Sequence, residues 1–160
     1  MRPRLVPPTP AVRDSYLAGE RAGCVVDGAS PVWLAGAESD FAAFAARRSG
    51  TRERWGVPST ELWYVAGRHY YGTLVIRHRL TPALCHEGGH IGYHVVPQHR
   101  RRGHATAMLA EACAICHESG LRALLLTCDD DNVGSRRVIE ANGGVLRDVT
   151  AGICHYWIGL

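Results

Sequence analysis

Lysine is missing from this chain: all eighteen basic residues are arginine, so no lysine is available as catalytic amine or base. Long apolar runs are missing as well, which argues against a membrane partner. Met1 to Pro8 lacks the apolar stretch of a secretory leader, so a cytoplasmic protein is expected. A formal charge of +3 is too modest to imply a polyanion by itself, and nucleic acid is not the expected partner. There are no internal repeats and no low-complexity segment. Six cysteines make an even count, but 160 residues at 46% hydrophobic content can bury an ordinary core without disulfides. They are read as reduced thiols.

What is present is a succession of strand and helix patterns with little linker, as in one α/β domain. Leu5-Val6 reads as a short strand, Val12 to Ala22 as a helix closing near Gly23, and Gly28 to Gly36 as loop. Glu38 to Arg48 reads as a helix with Phe41, Ala42, Phe44 and Ala45 on its buried face, stopped by Ser49-Gly50. Glu61–Ala66 and Tyr70–His78 form two strands around Gly67-Arg68, and Leu80–Gly88 is a connection. Gly103 to Ser119 is the clearest helix, with Ala105, Met108, Leu109, Ala112 and Cys116 on one stripe. The apolar run Ala123–Cys128 suits a strand covered on both faces. Asp131 or Asn132 caps a helix over residues 134–141, closed by Asn142-Gly143-Gly144, and Val145–Val149 and Cys154–Ile158 supply the last strands.

The stretch from Gly89 to Ala105 organises the rest. Ile91, Tyr93 and Val95 alternate as in a strand, Pro97 ends it, and a basic, Gly-containing loop leads into the long helix. A helix start has unpaired N–H groups and the positive end of the macrodipole, and Gly103 lets a bulky anion come close. Arg100, Arg101 and Arg102 add forked donors suited to phosphate. A solvated basic loop touching nucleic acid is the plainer reading of an Arg triplet, and steep salt dependence would reveal it. The place between Pro97 and a helix start favours a phosphate- or pyrophosphate-binding turn. No Gly-Lys-Ser/Thr follows, so it is not a Walker loop, and the first glycine of the dinucleotide fingerprint is missing.

Arg100-x-x-Gly103-x-Ala105, with a strand before it, a helix after it and the later segment Asn132–Gly144, resembles the Arg/Gln-x-x-Gly-x-Gly/Ala signature of the GCN5-related N-acetyltransferases (GNAT). The likeness covers residues 60–158 and weakly the first third. Arg77-His78-Arg79-Leu80, Gly88 to Tyr93 and Thr127-Cys128-Asp129 are similar to a branch of predicted bacterial acetyltransferases. The resemblance implies a single-domain α/β GNAT-like fold, a mixed central sheet of about six to seven strands flanked by about four helices. Residues 1–58 would form the acceptor side and 60–158 the acetyl-CoA-binding core. Acetyl-CoA would be the co-substrate, without metal or haem. The amides of Arg101 to Ala105 would hold the pyrophosphate, with Arg100, Arg101 and Arg102 assisting and His104 and Thr106 in the same helix start. His94, Val95 and Val96 would meet the pantetheine arm and thioester on a strand bulged at Gly89 or Gly92, and Asn132 and Ser135 would contact coenzyme A. The implied reaction is direct acetyl transfer to a primary amine of a small molecule, of antibiotic, amino-acid or polyamine type. A protein amine, or a catalytically silent acyl-CoA-binding module, is the alternative. Exposed strand edges suit a homodimer.

An ammonium acceptor must lose a proton before it attacks the thioester, and Glu87, His90 or Tyr93 at the head of the strand are candidates to take it. In the family's pattern Asn-x-x-Ala is followed, after three residues, by a Tyr that protonates the leaving thiolate. Here that position is Ile139, so Ser135 or Tyr156 substitutes, or the thiolate leaves unprotonated. His86, His90, His94, His99 and His104 could suggest zinc, but they lie on strand and loop rather than on one helix face. Cys113-x-x-Cys116-His117 matches the haem-attachment pattern, yet both cysteines sit on the apolar stripe and read as core. Asp129 to Asp131 either cap the next helix or attract a cationic acceptor.

Overall fold

Local chemistry sets most of the element ends in the computed structural model, which describes residues 1–160. In chain order the elements are β1 (Arg4–Val6), α1 (Arg13–Asp27), α2 (Ala35–Ser39), α3 (Phe41–Arg48), β2 (Thr51–Arg54), β3 (Val57–Ala66), β4 (His69–Arg77), α4 (Pro82–His86), β5 (Ile91–Val95), α5 (His104–Glu118), β6 (Ala123–Asp129), α6 (Val133–Ala141), β7 (Val145–Thr150) and β8 (Ile153–Gly159). Thr81 caps α4 by accepting from Leu84 N, and Pro82 occupies the first helical position, where no amide is needed. Asn132 caps α6 by accepting from Ser135 N.

The strands form two antiparallel sheets, ordered β1-β3-β4-β5 with β2 on β3, and β6-β8-β7. Alternation along β3 assigns its two faces. Leu62 and Tyr64 join the core under α5, with Leu74, Met108, Leu109, Leu124, Leu126 and Ile139. Trp63 and Val65 join a second core under α1 and α3, with Tyr16, Phe41, Phe44 and Tyr70. The α/β fold expected from the sequence is thus observed, with helices on both faces, but in place of one mixed sheet of six to seven strands there are eight strands in two antiparallel sheets.

Several boundaries differ from the sequence reading, each for a physical reason. Helix α1 passes through Gly23 and ends only at Gly28, whose φ of 68° is the left-handed C-cap. Its inner glycines serve close approach: a Cβ on Gly19 would stand 2.9 Å from Val96 Cγ1. The 38–48 helix is two helices, because Asp40 is extended and caps α3 by accepting from Ala43 N. Strand β2 was invisible because Thr-Arg-Glu-Arg has no apolar alternation, and its pairing with β3 alone defines it. The 80–88 connection contains α4.

The bulge anticipated at Gly89 or Gly92 is not found, since β4 and β5 pair in unbroken register from Gly72–Val95 to Ile76–Ile91; the backbone turns instead at Gly89, ahead of the strand. Gly92 pairs regularly with Val75, whereas Gly89 has φ 62° and would bring a Cβ within 2.3 Å of Leu125 O. His90 then divides its main-chain bonds, its N–H to Leu125 O and its carbonyl accepting from Arg77 N. Here β5 and β6 touch, and beyond this point no ladder joins them.

Candidate active site

The opening between β5 and β6 is a cavity of about 740 Å³, closed at one end by the start of α5 and on one side by α6. Its most distinctive feature is main chain. The amides of Arg101, Arg102, Gly103, His104, Ala105 and Thr106 donate to no protein acceptor, and the N-cap Gly103 supplies no side chain. The first turn of any helix leaves such donors, but positive φ at Arg101 (59°) and Gly103 (83°) lengthens the run back into the loop. The result is an anion-binding nest at the positive end of a fifteen-residue helix.

Along β5 the hydrogen-bonding direction alternates. Val96 N donates to Tyr71 O and His90 O accepts from Arg77 N, so the even-numbered residues are spent on β4. The amides of Tyr93 and Val95 therefore face the cleft. Cys128, also on the cleft, has its thiol pushed up to about 11 by burial, with the neighbouring Cys154 adding to the shift. It stays protonated at neutral pH and offers no thiolate nucleophile.

A second cavity of about 360 Å³ opens on the α1 and α3 side and meets the first at Arg77, Gly92, Tyr93 and His94. At this junction His94 Nε2 lies 2.7 Å from Glu20 Oε1. Glu20 is buried on α1 and also accepts from the Tyr70 hydroxyl. Burial alone would raise its carboxyl, but the hydrogen bond and charge of His94 and the Tyr70 hydroxyl outweigh burial and hold it below its ordinary value. The His94 ring is half-exposed, with Nε2 turned to Glu20 and Nδ1 on the opposite side of the ring. Across the cleft Tyr93 OH is 2.8 Å from Ser135 Oγ. Burial raises the Tyr93 phenol, which stays protonated.

The candidates read from the sequence scatter around this junction. Tyr93, His94, Val95, Arg101, Gly103, His104, Ala105, Thr106, Asn132 and Ser135 line the main cavity, and Glu87 lies exposed on its rim. His90 does not. It is buried, and its Nδ1 accepts from Leu125 N, so the ring ties β5 to β6 and has no free face for an amine. Val96 is corrected too: its amide is spent on Tyr71 and its side chain packs in the α1 core. Arg100 lines the cavity, but its guanidinium is committed, with both terminal nitrogens on Asp27 (3.2 and 3.0 Å) and Nε on Val95 O. Arg102 is exposed and offers its amide. Tyr156 is bonded to Glu140 and Arg136, away from the cavity, and Ile139 is fully buried. Cys116 is core, and no three His, Cys, Asp or Glu side chains converge as metal ligands.

Glu20 went unread because it lies 74 residues from His94. Its available signal was the pair Gly19 and Gly23, glycines inside a helical pattern that mark a helix pressed onto another segment.

The model of the Acetyltransferase (GNAT) family matches residues 7–143. No curated protein matches. Among solved structures, the chain is similar to the GNAT domain of S. lividans PAT, at 17% identity, TM-score 0.65 and coverage of 99% of this chain and 90% of that one. It is similar to the microcin C7 self-immunity acetyltransferase MccE in complex with acetyl-CoA and AMP, at 13% identity, TM-score 0.69 and coverage of 99% and 93%. PaiA N-acetyltransferase from Thermoplasma acidophilum in complex with coenzyme A aligns over the whole of both chains, at 10% identity and TM-score 0.62.

Proposed function

The chain belongs to the acetyltransferase (GNAT) family, with acetyl-CoA as co-substrate, and from that premise we propose that it moves the acetyl group directly to a primary amine of a small molecule. The observation that carries this reading is a single continuous path: six unpartnered amides at one end of a cleft, cleft-facing strand amides along it, and a carboxylate-backed imidazole where the cleft meets a second cavity.

On this reading the pyrophosphate sits on the amides of residues 101–106, with the exposed Arg101 adding charge. The pantetheine arm follows β5, and the amides of Tyr93 and Val95 orient the thioester and stabilise the developing oxyanion. Glu20 holds His94 through Nε2, so that Nδ1 accepts the proton of the incoming ammonium. His94 thus takes the base role first assigned to Glu87, His90 or Tyr93, and Glu87 is left at the rim. Tyr93, hydrogen-bonded to Ser135, is the donor to the departing thiolate, replacing the residue whose place Ile139 occupies. The protonated Cys128 favours direct transfer over an acyl-enzyme. Binding both substrates in adjoining cavities supplies the proximity term.

No helix is long and apolar enough to cross a membrane. Six free thiols suit a cytoplasmic setting. The edge strand β7, with Val145, Leu146 and Val149 exposed, is the surface a homodimer would use.

Thermal unfolding with and without acetyl-CoA, followed by free-thiol release with an amine panel, tests the proposal. A ligand at 100 times its Kd stabilises by about 2.7 kcal/mol. Stabilisation with amine-dependent thiol release is expected. Stabilisation without turnover on any small amine would favour a silent binding module or a protein acceptor.

A further inference from the structure

The second cavity carries a surplus of positive charge. Arg48, Arg54 and Arg77 line it. Its buried carboxylate Glu61 is shared by Arg48, Arg52 and Arg54 at 3.3–3.5 Å, and also accepts from Trp63 Nε1. One carboxylate cannot neutralise three guanidiniums. Arg77 has no carboxylate at all: its Nη1 donates to the carbonyls of Gly88 and Gly89, and its buried Nε has no partner. The remaining acid, Glu20, is engaged by His94 and Tyr70.

Aromatic surface stands beside these cations. Trp55 has the guanidiniums of Arg54 and Arg77 over its ring at 4.1 and 4.3 Å, and Arg48 lies 5.9 Å from Trp33. Both indoles are 43% exposed. Trp55 also occupies the first corner of the two-residue β2–β3 turn at φ 54°, where Asn or Gly is the unstrained choice. A strained, exposed indole between Arg77, which has no carboxylate, and Arg54, which shares one carboxylate with two other guanidiniums, is a recognition surface.

We infer that the acceptor is an amine that also carries an anionic group, carboxylate or phosphate, and an apolar or aromatic body, as an amino acid does. The inference rests on the acetyl-transfer reading for the role of the amine, not for the binding of the anion. The amine stands at His94, the anion at Arg54 and Arg77, and the body against Trp33 and Trp55. The same charge repels polyamines and aminoglycosides.

The test compares phenylalanine, its phosphonate analogue, phenylalaninamide and spermidine, by free-thiol release at saturating acetyl-CoA and by calorimetry on the free protein. The acid or the phosphonate should exceed the amide and spermidine by roughly tenfold or more in kcat/KM or in affinity. Which of the two leads separates carboxylate from phosphate. Arg54→Gln and Arg77→Gln should each narrow the anion-to-amide ratio, whereas a merely structural role would lower both members together. A preference for the amide or spermidine, equal use of all four, or no binding of either anionic amine overturns the inference. Failure of acetyl-CoA to bind while phenylalanine still binds would instead overturn the transferase reading and leave the pocket assignment standing.

Discussion

The two cavities meet at Gly92, Tyr93 and His94, yet they are made of different material. The side proposed for coenzyme A is main chain, a run of free amides and a strand edge from one stretch of sequence. The side proposed for the acceptor is side chains delivered by five separate elements, α1, α3, β2, β3 and β4, spread from Tyr16 to Arg77. A backbone site depends on φ and on Gly at one or two positions, so most side-chain changes leave it standing. A side-chain site can be rebuilt one residue at a time without disturbing the backbone proposed to bind coenzyme A. One scaffold can therefore keep its co-substrate while its acceptor changes.

That contrast predicts how damage should separate. The largest effect belongs to Gly103→Glu, which forces a side chain at φ 83° and sets a carboxylate on the nest. Coenzyme A affinity should fall on the order of 100-fold, about 2.7 kcal/mol by calorimetry, with the fold retained because the Cβ meets nothing within 4 Å. Next, His94→Gln should lower kcat by roughly 10²–10³-fold and leave the coenzyme A Kd near wild type. Tyr93→Phe should cost roughly tenfold in kcat, the smaller loss expected because a thiolate is a fair leaving group.

Glu20 gives a stability signature. Its folded carboxyl lies below the ordinary 4.5, so its contribution is present above that value and is lost as pH falls through the folded pKa. Unfolding free energy of the wild type should decline as pH falls below the ordinary carboxyl value and through the lowered folded one, and Glu20→Gln should decline less over the same window. Cys128→Ser should change turnover least, since the protonated thiol takes no part; loss of activity there would revive an acyl-cysteine route.

Much of the coenzyme side was legible in the sequence, because one short segment, Gly89 to Thr106, contains strand end, turn and helix start together. The stripe of Met108, Leu109, Ala112 and Cys116 and the run Leu124–Leu126 were readable for the same reason: burial follows a local period. The acceptor side was not. Glu20 looks like any solvated helix charge until α1 folds onto Val96, and β2 acquires its identity only from pairing with β3. Arg100 carries no local sign that its guanidinium is held by Asp27, 73 residues earlier. His90 was read as a base when its ring replaces a missing ladder bond at the splay. Long-range hydrogen bonds of this kind leave no periodic trace.

The most direct test of the division between main-chain and side-chain sites is an amide-resolved NMR titration with coenzyme A. The account predicts large shifts for the N–H groups of residues 101–106, with those of Arg48, Arg54 and Trp55 nearly unmoved. Unmoved loop amides, or shifts concentrated around Trp55, would contradict it.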